Sequence, residues 1–458
     1  MEHISFGTDG WRATLDTFTE PRVRMVGQAV ADHLRAAGDP GAVAVGYDAR
    51  DTSRGFADAL AEVLADNGFE VLVSERDCPT PVLAWTVRDR GLAGGLMVTA
   101  SHNPPEYNGV KFLPPGGAPA LPEVTDDLED RLAEPTALPE ADRGTVREDT
   151  FTAAYCQHAV DFAADPDLDG LRIAYDAMHG SGRGVTDDLL AAAGASVERL
   201  RTDRDPTFGG ESPEPTAERL GDLVARVTEG DADLGFANDG DADRLGVITP
   251  ERGSLDPNLL YAVLYDYLLD SGTGGAVRTV STTSVIDRIA EAHGERAVEV
   301  PVGFKWVAEG MREHDALVGG EESGGFGITA HLRNKDGVLL ALVLAAAHAE
   351  RPLDERADDI EAEFGEIHQG RVSVTCPDDR KAAVLDSLDG DLPETIAGVA
   401  VADVGTADGF KVFLEDGTWL LVRPSGTEPK LRVYAEADSA ERVEELLAAG
   451  SDLVEPRV

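Results

Sequence analysis

The sequence predicts an α/β protein whose sheets are mainly parallel, followed by a smaller α+β domain. Two observations predict this class. Strand-like and helix-like segments alternate over the first three-quarters of the chain, and the pattern changes to paired strands beyond about residue 370. With 458 residues, the chain has room for three or four domains, each with its own core.

The alternation occurs three times. The first α/β unit consists of a strand at 41–48, a helix at 53–68 and a strand at 69–73. The same cycle recurs at 171–200 and at 277–301. Since strands separated by helices pair in parallel, each repeat predicts one α/β domain.

The last ninety residues follow a different pattern. Short strands flank a helix near 379–388, and Asp416-Gly417 is a typical hairpin turn between two apolar runs. This predicts an antiparallel sheet with helices. Polar, proline-containing stretches mark the predicted boundaries between domains near 134–150, 250–258 and 350–370.

Composition excludes several classes of partner. The chain has 86 acidic against 40 basic residues, a formal charge of −46 that is spread along the sequence. Nucleic acid and anionic membranes would be repelled by such a surface, which is typical instead of salt-adapted, halophilic proteins. Three widely spaced cysteines and the absence of a signal-like N-terminus predict a cytoplasmic protein. The longest apolar run, 337–349, is too short to cross a bilayer and predicts a core helix.

Four unusual loops follow predicted strands. They are "TASHN" after "GGLMV", "NDGDADR" after "ADLGFA", "GGEESGG" after "HDALV", and "RPSGTEPK" after "WLLV". Because ligands of open α/β sheets gather at the carboxyl ends of strands, we expect these loops to line one site.

The first loop presents Ser101. The prolines at 104 and 105 prevent a helix, so the segment must be a loop of defined shape. Ser-x-Asn-Pro is also ordinary turn chemistry, so Ser101 is either a turn residue or a reacting group.

The second loop places Asp239, Asp241 and Asp243 at alternate positions, followed by Arg244. Clustered carboxylates repel one another unless a cation neutralises them, and a compact oxygen site suits Mg²⁺. An EF-hand is excluded because its sixth and twelfth positions would be Arg244 and Pro250. A solvated acidic turn is the alternative.

The other loops suit a phosphorylated, hydroxyl-bearing ligand. Short polar residues and a glycine allow backbone N–H groups to converge on an anion, and arginines add charge. The alternative for the last loop is a plain hairpin connection. The candidates for the anion are Ser425, Gly426 and Thr427 with Arg423 and Arg432. The candidates for hydroxyl groups are Glu321 and Ser323, and Thr8 and Arg12 in "FGTDGWR" lie on a further glycine-containing turn. A serine beside a cation site and an anion pocket fits phosphoryl transfer, whereas no Gly-x-Ser-x-Gly elbow supports a serine hydrolase.

These motifs together resemble the α-D-phosphohexomutase superfamily, in its phosphoglucomutase/phosphomannomutase group. The resemblance spans nearly the whole chain and rests on "FGTDGWR", "TASHNPPEYNGVKF", "NDGDADR", "VGFKWV", "GGEESGGF" and "RPSGTEPKLRVY", which occur in the family's order. It implies three related α/β domains and a TATA-binding-protein-like fourth domain around a central cleft. The implied domains are a phosphoserine domain at 1–145, a metal-binding domain at 146–252, a sugar-recognition domain at 253–365 and a phosphate-binding domain at 366–458.

The resemblance also implies roles. Ser101 is then the phosphoserine, which with the three aspartates holds one Mg²⁺. Lys111 is the general acid/base supported by His102 and Arg12, and Arg244 stabilises the transferring phosphoryl group. The implied substrate contacts are Thr8, Gly303, Lys305, Glu321, Ser323, His331, Arg333, Lys335, Arg423, Ser425, Gly426, Thr427 and Arg432.

The implied reaction interconverts hexose 1- and 6-phosphates through a hexose 1,6-bisphosphate. Related dual-specificity and glucosamine enzymes carry histidine where this chain has Gly325, and "AHLRNKDG" resembles glucose-directed members, so glucose is the favoured sugar. Phosphomannomutase and phosphoglucosamine mutase stay open, as does a Mg²⁺-dependent sugar-phosphate phosphatase or an inactive binding protein. A monomer or a homodimer is expected.

Overall fold

The computed structural model describes residues 4–7, 10–38, 41–164, 166–426 and 429–458. The chain forms two compact units. The first comprises the described residues of Met1–Asp256 and Ser323–Asp354, and the second comprises Pro257–Glu322 with those of Glu355–Val458.

The described part of the chain contains strands in both units. In chain order they are β1 (Trp11–Thr14), β2 (Val43–Tyr47), β3 (Val71–Ser74), β4 (Gly94–Val98), β5 (Tyr107–Leu113), β6 (Val146–Asp149), β7 (Arg172–Asp176), β8 (Ser196–Leu200), β9 (Leu234–Asn238), β10 (Leu245–Thr249), β11 (Gly253–Ser254), β12 (Ala276–Thr279), β13 (Ala297–Val300), β14 (Val318–Glu321), β15 (Gly325–Ile328), β16 (His368–Thr375), β17 (Thr395–Ile396), β18 (Val399–Gly405), β19 (Phe410–Leu414), β20 (Trp419–Pro424) and β21 (Lys430–Ala437).

Helices alternate with these strands up to residue 364. They are α1 (Glu20–Ala37), α2 (Ser53–Asp66), α3 (Thr80–Asp89), α4 (Pro122–Asp130), α5 (Thr152–Phe162), α6 (Thr186–Ala192), α7 (Gly221–Thr228), α8 (Pro257–Ser271), α9 (Val285–Ala292), α10 (Phe304–Glu313), α11 (Gly337–Glu350), α12 (Leu353–Phe364), α13 (Asp378–Gly390) and α14 (Ala440–Val454). Short 3₁₀ helices occur at Glu140–Asp142, Phe208–Gly210, Ala217–Arg219 and Glu455–Arg457.

The first sheet has the strand order β1-β5-β4-β2-β3-β6. Strands β4, β2, β3 and β6 are parallel, whereas β5 is antiparallel to β4 and to β1. The core strands β2, β3 and β4 are completely buried, as their unbroken apolar sequences predict. Because β6 pairs with β3, this sheet extends four residues past the domain boundary predicted at residue 145.

The second sheet, β11-β10-β9-β7-β8, also lies in the first unit. Strands β8, β7 and β9 are parallel, and β9 turns antiparallel into β10 through the "NDGDADR" loop. Helix α11, the apolar run predicted to be a core helix, has Gly337 to Ala347 buried and contacts both β9 and β10. Mean hydropathy of the described helices is too low, or their length too short, for any of them to cross a membrane.

The second unit contains a parallel and an antiparallel sheet. Strands β13, β12 and β14 pair in parallel. The other sheet, β16-β21-β20-β19-β18-β17, is entirely antiparallel, and Gly417 forms the predicted hairpin turn with φ of 85°. The α/β class with a final antiparallel domain is therefore confirmed.

Lys411 on β19 is the most buried lysine of the second unit, with 1% of its surface exposed. Its Nζ donates to Val280 O at 2.8 Å and to Glu299 at 2.6 Å, and it lies 4.2 Å from the ring centre of Trp419. Burial, reinforced by the nearby Arg278 and opposed by Glu299, lowers the pKa of Lys411 to about 8.

This shift predicts that stability depends on pH in the alkaline range. Between about pH 8 and pH 10.5 the unfolded chain retains the lysine proton that the folded chain has lost, so the free energy of unfolding rises with pH by up to about 3 kcal/mol. Guanidinium titrations should show the stability of wild type rising relative to Lys411→Met over this interval and staying constant relative to it below pH 8. The half-buried Lys305, replaced by methionine, serves as control. A wild-type advantage that shrinks toward high pH would contradict the assignment.

Candidate active site

Ser101 follows β4 in the first unit and points into the protein. It is 1% exposed, and its backbone has φ of 50°, a left-handed conformation that non-glycine residues seldom adopt. Its Oγ donates a hydrogen bond of 2.7 Å to Asp239 Oδ2 and lies 3.4 Å from His102 Nδ1. Two of the four loops that the sequence predicted to share a site therefore meet at the Ser101 hydroxyl.

The three aspartates of the β9–β10 loop converge. Asp239, Asp241 and Asp243 each offer a carboxylate oxygen within 4.8 Å of the others, and all three are buried. Thr80, at the start of α3, holds this loop twice: its N–H donates to Asp241 O at 2.9 Å, and its Oγ1 donates to Asp241 Oδ2 at 2.6 Å. We refer to the three residues as the aspartate triad.

Two lysines contact the triad. Lys111 on β5 donates from Nζ to Asp241 Oδ2 at 2.8 Å and to Asp243 Oδ2 at 2.9 Å. Lys335, in the turn before α11, places Nζ 3.2 Å from Asp243 Oδ2. Both ammonium groups are almost fully buried, so their charge acts on the carboxylates with little screening by water.

The triad carboxylates have different proton affinities. Burial, together with the charges of Asp241 and Asp243, raises the pKa of Asp239 well above its ordinary value. Burial would also raise the pKa of Asp241 and of Asp243, but the neighbouring Lys111 and Lys335 reverse this effect and lower both. The site thus has two carboxylates whose charge is stabilised by lysines beside a third that binds its proton more tightly.

The donor set fits a metal ion. Among the described residues, neither Asp241 Oδ1 nor Asp243 Oδ1 has a hydrogen-bond partner, although both are buried. An unsatisfied buried carboxylate oxygen is costly unless a cation or donor reaches it. Carboxylate oxygens are also the ligands that hard divalent cations prefer. The triad could therefore bind a metal through these oxygens.

The remaining predicted catalytic residues surround Ser101. Burial, with the positive charges of Arg244 and Arg12, lowers the pKa of His102 to about 2, so this imidazole is neutral. Arg12 donates from Nη1 to Asn103 Oδ1 at 3.2 Å, and the Arg244 N–H donates to Asp239 Oδ1 at 3.1 Å. Every predicted catalytic residue therefore lies in the first unit, close to the triad or to the Ser101 loop.

Sequence reasoning missed Arg50, which holds the Ser101 loop in shape. This arginine is 2% exposed and pairs with Asp48 Oδ2 at 3.0 Å. Its Nη atoms donate to four carbonyl oxygens, those of Ser101 (2.9 Å), Asn103 (2.6 Å), Pro104 (2.6 Å) and Tyr107 (3.1 Å). A charged Asp-x-Arg pair directly after a buried strand was the available signal.

The predicted sugar contacts of the second unit are held by acidic residues. The N–H of Gly303, at the start of α10, donates to Glu321 Oε1 at 3.0 Å. Arg423 donates from Nε to Asp408 Oδ2 at 3.0 Å, and the same carboxylate oxygen accepts from the Val302 N–H at 3.1 Å. Asp408, which the sequence analysis did not single out, therefore links the predicted phosphate-binding Arg423 to the segment before Gly303.

The other predicted contacts are distributed as follows. Arg423 and Arg432 are cross-strand neighbours on β20 and β21, and the buried Ser425 carbonyl accepts from Lys381 at 2.7 Å. Lys305 and Arg333 are half-buried, while Ser323 and Gly426 are exposed. His331 is completely buried, with both ring nitrogens hydrogen-bonded to protein. Two predicted residues, Thr8 and Thr427, lie outside the described residues.

Comparison with protein families covers most of the chain. Residues 3–138 match phosphoglucomutase/phosphomannomutase alpha/beta/alpha domain I, residues 151–253 match domain II, residues 256–364 match domain III, and residues 372–452 match the C-terminal domain.

Individual relatives agree with this match over almost their full length. A probable phosphoglucosamine mutase of Methanopyrus kandleri is 35% identical, covering 98% of this chain and 97% of its own. A phosphoglucomutase of Komagataeibacter xylinus is 31% identical over 95% of this chain and 88% of its own. The solved structure of a Thermus thermophilus protein described as a phosphomannomutase superposes with a TM-score of 0.85 at 33% identity, with 99% of both chains covered. The chain therefore belongs to the phosphoglucomutase/phosphomannomutase family, whose members are intramolecular phosphotransferases acting on sugar phosphates.

Proposed function

We propose that this protein is a phosphohexomutase that interconverts glucose 1-phosphate and glucose 6-phosphate, with Ser101 as its phosphoserine. The observation that carries the proposal is the short contact between Ser101 Oγ and Asp239, next to a buried triad with unsatisfied oxygens. A phosphoryl group on this oxygen lies beside cation ligands, as phosphoryl transfer requires.

We further propose that the bound cation is Mg²⁺, held by the triad and by the phosphate on Ser101. When bound, it neutralises charge on the phosphoryl group. The protein supplies the proton transfers. As the phosphorus–Ser101 Oγ bond breaks, Lys111 donates a proton to that oxygen. The neutral amine of Lys111 then takes the proton of the sugar hydroxyl that attacks phosphorus, so the lysine ends the step protonated again.

The product of this first transfer is a hexose 1,6-bisphosphate, whose other phosphate then returns to Ser101. Arg423, Ser425 and Arg432 of the second unit are proposed to bind the phosphate that is not reacting, since two arginines and a hairpin serine suit an anion. Glu321 and Ser323 are proposed to bind sugar hydroxyls. We also propose a cytoplasmic location, in keeping with a sugar-phosphate substrate.

The preference for glucose is inferred from Gly325 and Lys335. A Cβ at position 325 would lie 2.4 Å from Lys335 Cδ, so any larger residue there would force the aliphatic chain of Lys335 to shift. The histidine that related dual-specificity and glucosamine enzymes carry at this position is therefore incompatible with this lysine placement. Gly325 and Lys335 act as a pair that favours the glucose-directed arrangement.

Phosphoglucosamine mutase is the second candidate, because the Methanopyrus kandleri relative so described is 35% identical over nearly the whole chain. ³¹P NMR in molar KCl with Mg²⁺ and a trace of glucose 1,6-bisphosphate separates the candidates. Glucose 1-phosphate, mannose 1-phosphate and glucosamine 1-phosphate are supplied in equal amounts, and the glucose signal should move first to the 6-phosphate. Faster conversion of glucosamine 1-phosphate would overturn the glucose assignment, and release of inorganic phosphate alone would indicate a phosphatase.

A further inference from the structure

A buried network of side chains lies behind Lys335 in the first unit and has no part in the chemistry described above. Its centre is Asp336, which is 1% exposed. Its carboxylate accepts hydrogen bonds from Tyr155 OH at 2.7 Å, from His331 Nε2 at 2.7 Å, and from the Leu339 N–H at 2.8 Å, where it caps α11. We refer to Asp336, Tyr155, His331 and His158 as the Asp336 network.

The direction of the hydrogen bonds is determined by the carboxylate. Because Asp336 accepts, His331 donates through Nε2, and its Nδ1 lies 2.9 Å from His158 Nε2, within hydrogen-bonding distance. The two imidazoles are stacked at 5.0 Å, and the outer face of His158 stacks on Trp85 at 5.0 Å. Hydrogen bonds therefore join Tyr155 and His158 of α5 to His331 and Asp336 in the turn before α11.

Two neighbours of the network, Asn334 and Gly337, hold the backbone on either side of Lys335. Asn334 donates from Nδ2 to Gly117 O at 2.9 Å and accepts the Lys335 N–H at 2.9 Å. The Gly337 N–H donates to Ala242 O at 3.2 Å, and a Cβ on Gly337 would come within 2.4 Å of Arg244 O. Only glycine permits this close approach, so the "KDG" turn is held directly against the triad loop.

We propose that the Asp336 network is a positioning device for Lys335: it fixes the turn whose lysine reaches Asp243. His331 is then a positioning residue, which accounts for its complete burial, instead of a direct sugar contact. The inference deepens the proposed function, on which it rests. It predicts that weakening the network lowers turnover only because Lys335 is no longer held against Asp243.

The test is a double-mutant cycle with Tyr155→Phe, which removes one donor to Asp336 and keeps the ring. In the wild-type background it should lower kcat/KM about fivefold, and in a Lys335→Met background by less than about twofold, because coupled residues do not act additively. The control is Tyr261→Phe, since Tyr261 is equally buried and its OH also donates a 2.7 Å hydrogen bond, to Val277 O in the second unit. Equal losses in both backgrounds, or an equal loss from Tyr261→Phe, would overturn the proposal.

A crystal structure of Tyr155→Phe supplies a readout that does not depend on turnover. Lys335 Nζ should move out of hydrogen-bonding distance of Asp243, and an unmoved lysine would overturn the proposal even if Lys335→Met is too slow to assay. Wild-type protein that isomerises no hexose phosphate would refute the proposed function, while the crystallographic comparison would still decide the role of the network.

Discussion

Replacing Ser101 with alanine is expected to lower the mutase rate about a thousandfold or more, because the oxygen proposed to carry the phosphoryl group is lost. The change removes one buried oxygen and its 2.7 Å hydrogen bond to Asp239, so the protein should still fold. The measurement is ³¹P NMR of hexose phosphate conversion, combined with intact-mass spectrometry after incubation with glucose 1,6-bisphosphate. Wild type should gain a phosphoryl group on Ser101, and the variant should gain none.

Ser181→Ala is the matched control. Ser181 is as buried as Ser101, and its Oγ donates a 3.2 Å hydrogen bond to Gly240 O in the triad loop. Ser181→Ala removes the same hydroxyl group next to the same loop, and most of the mutase rate should remain. Full turnover by Ser101→Ala would refute the phosphoserine mechanism, and an equal loss in Ser181→Ala would show that packing near the triad, not the Ser101 oxygen, limits the rate.

The elements that could be predicted are those whose pattern is local. The strand at 94–98 is apolar at every position because it is buried on both faces, and the Asp416-Gly417 turn lies between two such runs. Strand β6 carries no such signal. Three of its four residues are exposed, and it forms through backbone pairing with β3, 75 positions earlier at Val71 and Val146. Its sequence, "VRED", therefore resembles a linker.

The same distinction applies to the candidate site. Ser101, the aspartate triad and Lys111 lie in short motifs whose residue types indicate their chemistry. The contacts that hold them join distant segments: Thr80 reaches Asp241 across 161 positions, and Tyr155 reaches Asp336 across 181. No periodicity within one segment encodes such a pairing, so the roles of Thr80 and Tyr155 could be identified only from the structure.

Most of the few lysines in this chain are buried in the structure. The chain has only six lysines, and four of them, Lys111, Lys335, Lys381 and Lys411, are buried. The acidic composition fits the small number of lysines but does not explain which of them are buried. Each buried lysine has a named acceptor, so these four lysines satisfy polar groups of the interior.

Lys111→Met is expected to make the stability of the protein depend more strongly on divalent cations than that of wild type. In wild type the Lys111 ammonium pairs with Asp241 and Asp243 in a site where both carboxylates are completely shielded from solvent. Removing one partner of a buried ion pair typically costs about 3–5 kcal/mol, since the remaining charge stays uncompensated. Millimolar MgCl₂ should restore most of that loss by neutralising the same carboxylates, because a ligand that binds only the folded state stabilises it.

Catalytic turnover of Lys111→Met should not recover when MgCl₂ restores its stability. Mg²⁺ replaces the charge of Lys111 but cannot donate its proton, so the rate should stay about 10²–10⁴-fold below wild type in saturating MgCl₂. Thermal unfolding with EDTA and with MgCl₂ measures the first effect, and the NMR assay measures the second. Lys381→Met is the control, because this buried lysine pairs with Asp378 and Ser425 O in the second unit, and its response to Mg²⁺ should match that of wild type.

If EDTA and MgCl₂ shift the melting temperature of Lys111→Met no more than that of wild type, Lys111 is not the counter-ion of the triad. If MgCl₂ restores both stability and turnover, its role is charge alone, and the proton must come from another group.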